Sequence, residues 1–207
     1  MREVLPMFPL GSVLLPYGIL PLHVFEERYR TMMRDDVEEF GVVLIERGSE
    51  VGGGDVRTQL GTVARVVRKT ELPDGRWQVV AVGTPRRFRV ARWLPDDPYP
   101  IAEIDELVDA PVDGAALREL VDDVVPRVRR VLAMRAEAGE PSAPVDVAFD
   151  GDPVVASWQL ALLTGMGPLD GHAVLAIDDP LARLQRVAEV VDEQLDALTF
   201  RMGGSGE

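Results

Sequence analysis

"GTVARVVRKTELPDGRWQVVAVGTPRRFRVARWL", Gly61 to Leu94, consists of two β-rich runs joined by Pro-Asp-Gly-Arg. Asp74-Gly75 between such runs is a hairpin signal, because a tight turn requires positive φ and glycine adopts it without steric cost. Along the second run Phe88 and Val90 alternate with Arg87 and Arg89, which predicts one apolar and one basic face. An antiparallel ribbon therefore anchors the first half of the chain.

Upstream, "FGVVLIER" (Phe40 to Arg47) is a nearly continuous aliphatic run suited to a central strand, and Gly48 to Leu60 reads as a flexible loop. Earlier still, "VLPMFPLGSVLLPYGILPLHVFEERYR" (Val4 to Arg30) places Pro6, Pro9, Pro16 and Pro21 among apolar runs. Proline has no N–H for a ladder, so "MFPL", "VLL" and "ILPLHVF" are expected as short, bent strands at a barrel edge, with a turn at Tyr17-Gly18. From Glu26 the period changes. Phe25, Tyr29, Met32, Met33 and Val37 recur at helical spacing and predict a helix over Glu26–Val37 packed across the strands. Downstream, "PYPIAEIDELV" supplies a last strand.

Past Val108 the pattern is helical. Leu117, Leu120, Val121, Val124, Val125, Val128, Val131 and Leu132 form one stripe, with a kink or break expected at Pro126. Asp152 is placed to cap a helix beginning at Pro153, "HAVLAI" to form a short helix, and Asp178 or Asp179 to cap a last helix from Pro180 to about Phe200. The expected fold class is α+β. An antiparallel β lobe occupies 1–108, a helical lobe 109–202, and a disordered tail 203–207.

Composition narrows function. Hydrophobic residues make up 46% and charged residues 28%, the balance of a folded protein. No apolar run reaches the roughly 18 residues that span a bilayer, and Arg2, Glu3 and early prolines do not form a signal peptide. The absence of cysteine rules out thiol chemistry and fits a cytoplasmic location. A net charge of −13 opposes nucleic-acid phosphates and anionic membranes.

Several stretches together carry a family resemblance: Phe8–Met33, Phe40–Val56, Leu60–Val90 and Tyr99–Leu107, with Pro21-Leu22, Phe25, Glu26, Tyr29 and Gly61-Thr-Val-Ala-Arg65 the most telling. In order and spacing they resemble the N-terminal domain of Lon protease, in the stand-alone bacterial form without ATPase or protease modules. "SWQLALLTGM" and "LAIDDPLARLQRVAEVV" resemble the helical bundle that follows it in that family. The resemblance implies a PUA-like β-barrel with a packed helix, then a C-terminal helical bundle. It also implies a domain that holds substrate polypeptide and assists assembly, with the chemistry residing in modules this sequence does not contain.

The residues themselves offer little chemistry. Gly52-Gly53-Gly54 has no lysine and leads into a strand, so it is no P-loop. "GMGPLDG" follows a helix and is no dinucleotide fingerprint. A Ser–Lys dyad would have to use Lys69, the only lysine, which sits in a predicted strand. His23 and His172 lie in different lobes without zinc-ligand spacing. The adjacent acids (Glu26-Glu27, Asp35-Asp36, Asp96-Asp97, Asp122-Asp123, Asp178-Asp179) diverge on either secondary structure and read as solvated faces. A PUA-like barrel raises RNA binding, with Arg86, Arg87, Arg89 and Arg92 as one basic face and Arg127, Arg129, Arg130 and Arg135 as another. With 35 acids against 22 bases, these arginines are expected to pair with carboxylates instead.

The expected function is a non-catalytic module, without cofactor or metal, that binds extended polypeptide segments or a dedicated protein partner, as an adaptor in protein quality control. The alternative is a small hydrolase whose carboxylates meet only in the fold. The peptide-binding candidates are Leu20, Leu22, Phe25, Tyr29 and Met33, beside a strand edge broken by prolines.

Overall fold

The computed structural model describes residues 2–47 and 56–203. The chain divides into two compact units, Met1–Val108 and Asp109–Glu207.

The first unit contains β1 (Glu3–Leu10), β2 (Ile19–Val24), α1 (Glu27–Arg34), β3 (Glu39–Arg47), β4 (Val56–Glu71), β5 (Trp77–Leu94) and β6 (Ile101–Leu107). They form a six-stranded sheet in the order β2-β5-β4-β3-β1-β6, with a further pairing of β5 with β6. The sheet is mixed, because β1 runs parallel to β3 with Met7 opposite Gly41 and Leu10 opposite Leu44. This overturns the expected PUA-like antiparallel β-barrel, while the α+β class stands. Parallel neighbours need a long crossover, and here β2 and α1 lie between β1 and β3 in the chain. The hairpin at 74–75 says nothing about that return.

The proline-broken opening also folds differently from expectation. β1 is one eight-residue strand. It pairs with β6 over Glu3–Pro6 and with β3 over Met7–Leu10, so each half has only one ladder partner. Pro6 and Pro9 are tolerated because a strand paired on one side does not need every N–H. The "VLL" run forms no strand. Leu14 and Leu15 are buried as coil, and Thr62 donates through Oγ1 to the Leu14 carbonyl at 2.6 Å.

The β4–β5 hairpin forms as expected. Gly75, at φ +79°, donates to the Leu72 carbonyl at 2.8 Å, and Leu72 in turn donates to the Arg76 carbonyl at 2.7 Å. Residues 48–55 of the expected loop lie outside the described residues, whereas Val56–Leu60 belong to β4. Alternation sends Phe8 and Val42 into one buried cluster and Met7 and Val43 into another, so β1 and β3 are buried on both faces. That explains the unbroken apolar run of β3. The Phe8 cluster is completed by Tyr29, Met32 and Met33 of α1, a helix shorter than Glu26–Val37.

The second unit holds α2 (Gly114–Glu137), α3 (Pro153–Thr164), α4 (Pro168–Leu175) and α5 (Pro180–Gly203). α2 packs on α3 and α5 through Leu117, Val121, Val124, Val128, Val131 and Leu132. Of the kink or break expected at Pro126, the break does not occur: α2 continues through it. Losing one helical hydrogen bond and clashing with the preceding turn costs about 3 kcal/mol, and the buried stripe on both sides outweighs it. Asp152 caps α3 by accepting from Val154 N at 2.8 Å, and Asp179 accepts from Leu181 N at 2.9 Å before α5. α4 begins at Pro168, earlier than the "HAVLAI" reading placed it. Gly203 ends α5, and 204–207 of the expected tail lie outside the described residues.

Candidate functional site

β2 is the free edge of the sheet, with β5 as its one strand neighbour among the described residues. The ladder runs from Ile19 opposite Val82 to Val24 opposite Trp77. Gly83 N–H donates to the Gly18 carbonyl at 2.8 Å, so even-numbered residues turn their backbone groups to β5. Ile19, Pro21 and His23 turn theirs away. Pro21 therefore costs the ladder nothing, because its missing N–H would point off the sheet. The side chains divide the same way: Ile19, Pro21 and His23 are exposed, Leu20 and Leu22 are half-buried, and Val24 is buried.

Beside this edge lies a cavity of about 330 Å³, near the lower end for ligand pockets. Phe8, Leu10, Ser12, Tyr29 and the run Leu20 to Glu26 line it. Its floor is rigid. The Phe8 and Tyr29 rings stack at 4.0 Å, Phe40 lies 5.8 Å from Phe8, and the Arg28 guanidinium sits 4.6 Å over Tyr29. Stacked aromatic pairs contribute about 0.5–1.5 kcal/mol beyond area burial.

Four of the five candidates from sequence, Leu20, Leu22, Phe25 and Tyr29, line this cavity. They differ in access. Phe25 is 52% exposed, whereas Tyr29 is 3% exposed. Met33 is not a lining residue; at 1% exposure it packs beneath, in the Phe8 cluster. Sequence reasoning passed over Phe8 and Leu10, which also line it. The alternation of Met7 and Phe8 was the available signal, but only the packed core shows that the Phe8 face meets α1.

Elsewhere charged groups are mutually engaged. Lys69 donates through Nζ to the Met33 carbonyl at 2.8 Å and pairs with Asp36, which ties it to the end of α1. Arg86 pairs with Glu3, Glu39 and Glu106, and Arg92 with Glu103. Arg87 is buried at 2%, so the predicted basic face does not form. Arg127 pairs with Asp123 and Asp192, while Arg135 donates to the Thr164 carbonyl at 2.8 Å. A hydrogen bond from Arg34 holds Glu27 below the usual carboxylate range, as Lys69 does for Asp36 and Arg76 for Asp74. A general acid at neutral pH needs the opposite shift. Among the described residues no group of three or more His, Asp or Glu side chains could hold a metal ion, and no helix is long and apolar enough to cross a membrane.

Against known proteins, residues 4–193 match a family model described as the ATP-dependent protease La (LON) substrate-binding domain. The Lon protease of Trichlorobacter lovleyi is 28% identical over 208 residues, covering 96% of this chain and 25% of that protein. The Lon protease of Anaeromyxobacter dehalogenans is 29% identical, covering 91% of this chain and 21% of that protein. The chain thus spans about a quarter of the length of these curated relatives. Among solved structures it is similar to a Lon N-terminal domain protein from Xanthomonas campestris, with TM-score 0.62 and 28% identity over 89% of this chain and 96% of that one. The N-terminal domain of the Mycobacterium avium complex Lon protease shares the fold, with TM-score 0.61 at 14% identity over 92% of this chain and 98% of that one.

Proposed function

Because this chain belongs to the ATP-dependent protease La (Lon) substrate-binding domain family, we propose that it is a non-catalytic module that binds extended polypeptide segments or a protein partner. The observation that carries this reading is the family match over residues 4–193. The apolar cavity at the free β2 edge supports it by supplying a place for binding.

Leu20, Leu22 and Phe25 form the contact surface in this reading, Tyr29 forms its floor, and Met33 holds the floor from beneath. Met1–Val108 acts as the binding domain and Asp109–Glu207 as a separate helical domain. The setting is the cytoplasm, in protein quality control, with no cofactor.

Capture of native lysozyme against reduced, alkylated lysozyme by the immobilised protein tests the reading. Retention of only the unfolded form is expected, weakening as salt rises because the chain's net charge of −13 attracts that basic client. Equal or absent retention of both forms would refute polypeptide binding.

A further inference from the structure

Ile19 is 73% exposed and Phe25 is 52% exposed, so large apolar side chains flank the β2 edge in water at both ends. Between them the backbone of Ile19 and His23 offers N–H and carbonyl groups away from β5, and Pro21 offers a carbonyl alone. Such an edge is a template for one more strand. We infer that β2 takes up an extended polypeptide segment as an added strand, hydrogen-bonded to Ile19, Pro21 and His23, with every second side chain over the Phe8–Leu20–Leu22–Tyr29 cavity. This rests on the polypeptide-binding reading above and specifies its mode.

The pleat dictates what the segment must look like. Its side chains alternate between the two faces of the sheet, so one set meets the apolar cavity and the other faces solvent beside Ile19, Pro21 and His23. Apolar residues at alternate positions satisfy the first set, and polar residues the second. Charge decides between occupants. The chain carries 35 acids and 22 bases, so a second copy at this edge brings two net charges of −13 together, whereas a lysine-bearing segment is attracted. Glu26 already shares its charge with Arg28 at 3.1 Å, so the attraction comes from the protein as a whole rather than from one carboxylate. The occupant is therefore a segment alternating apolar with basic or neutral polar residues.

Pro21 sets the sharpest expectation. Its nitrogen faces away from β5, so Pro21→Val leaves the β2–β5 ladder intact and adds a donor for the incoming strand. One added hydrogen bond is expected to tighten binding about fivefold. The probe is a fluorescent nonapeptide alternating valine with lysine or threonine, titrated by anisotropy and N-methylated at one position at a time. Loss of binding at every second methylated position, together with tighter binding by Pro21→Val, is the expected result. Binding of the parent peptide that ignores both the methylation pattern and Pro21→Val would overturn strand addition, and the polypeptide-binding reading would stand on side-chain contacts alone. Failure of both this peptide and the unfolded lysozyme to bind would remove that reading and the added strand with it. Retention of the lysozyme without the peptide would overturn the edge as the site. Concentration-dependent dimers that Pro21→Val strengthens and the peptide does not dissociate would assign the edge to a second copy, and would also overturn the inference.

Discussion

The guanidinium of Arg183 donates to both carboxylate oxygens of Asp109, at 2.9 and 2.8 Å, while lying 3.9 Å over the Trp158 ring. Arg183 is fully buried, whereas the Asp109 side chain is 26% exposed. Removing one member of a buried pair costs more than the pair contributes, because the other charge stays desolvated. The partial exposure of Asp109 moderates this. Arg183→Met is expected to lower unfolding free energy by about 3 kcal/mol, measured by urea denaturation. Asp109→Leu combined with Arg183→Met should recover part of that loss.

Phe25 offers a cleaner test of the cavity than Tyr29 does. Phe25 is half exposed, so Phe25→Ala should change stability by less than about 0.5 kcal/mol while weakening retention of unfolded lysozyme. Tyr29→Ala removes a stacked core ring, and its expected cost of about 3–5 kcal/mol would confound folding with binding. Thermal melts beside the capture assay separate the two.

Lys69 holds the end of α1 rather than any reacting group. Lys69→Ala should cost about 1 kcal/mol through the lost bond to the Met33 carbonyl and leave polypeptide retention unchanged. A loss of retention in a variant that melts within a few degrees of wild type would contradict this assignment.

Gly61 and Gly114 should respond oppositely to alanine. A Cβ at Gly61 would lie 2.2 Å from the Val42 carbonyl oxygen and 2.5 Å from Phe88 Cζ, so strands must move. Gly61→Ala is expected to cost about 3 kcal/mol. A Cβ at Gly114 meets nothing within 4 Å, and Gly114→Ala should stabilise the first turn of α2 by about 0.5 kcal/mol. Chemical denaturation of both variants tests the contrast.

Acid should loosen α1 and the hairpin tip. Glu27, Asp36 and Asp74 all have carboxyl pKa values lowered in the folded protein by hydrogen bonds from Arg34, Lys69 and Arg76. A lowered folded pKa means the stabilisation is present above the unfolded value, near pH 4, and fades as pH falls through the folded value. The melting temperature should therefore decline below about pH 4, and Asp36→Asn should show a shallower decline. An unchanged slope in Asp36→Asn would remove the Lys69 pair from the explanation.

Local chemistry determined much of this protein in advance. Asp74-Gly75 between β-rich runs requires a tight turn, and Gly75 makes one at φ +79°. Tyr29, Met32 and Met33 recur at helical spacing and form the buried face of α1. The apolar stripe from Leu117 to Leu132 likewise defines the packed face of α2. Each of these signals operates over a few residues, where periodicity and φ preference are decisive. What tertiary structure decided lies between distant residues. Proline at 6 and 9 limits hydrogen bonding, but only the handover of β1 from β6 to β3 shows that both positions are tolerated in one continuous strand. Alternating Arg87 and Phe88 predicts two faces of one strand, one of them exposed, yet both residues are buried. Asp109 and Arg183 stand 74 positions apart, and no periodicity couples them. Leu20, Leu22, Phe25 and Tyr29 were readable as apolar, whereas their meeting with Phe8 and Leu10 around one cavity depends on pairings between strands distant in sequence. Strand order is settled by the total burial that long-range pairing achieves, a sum that no short stretch of sequence contains.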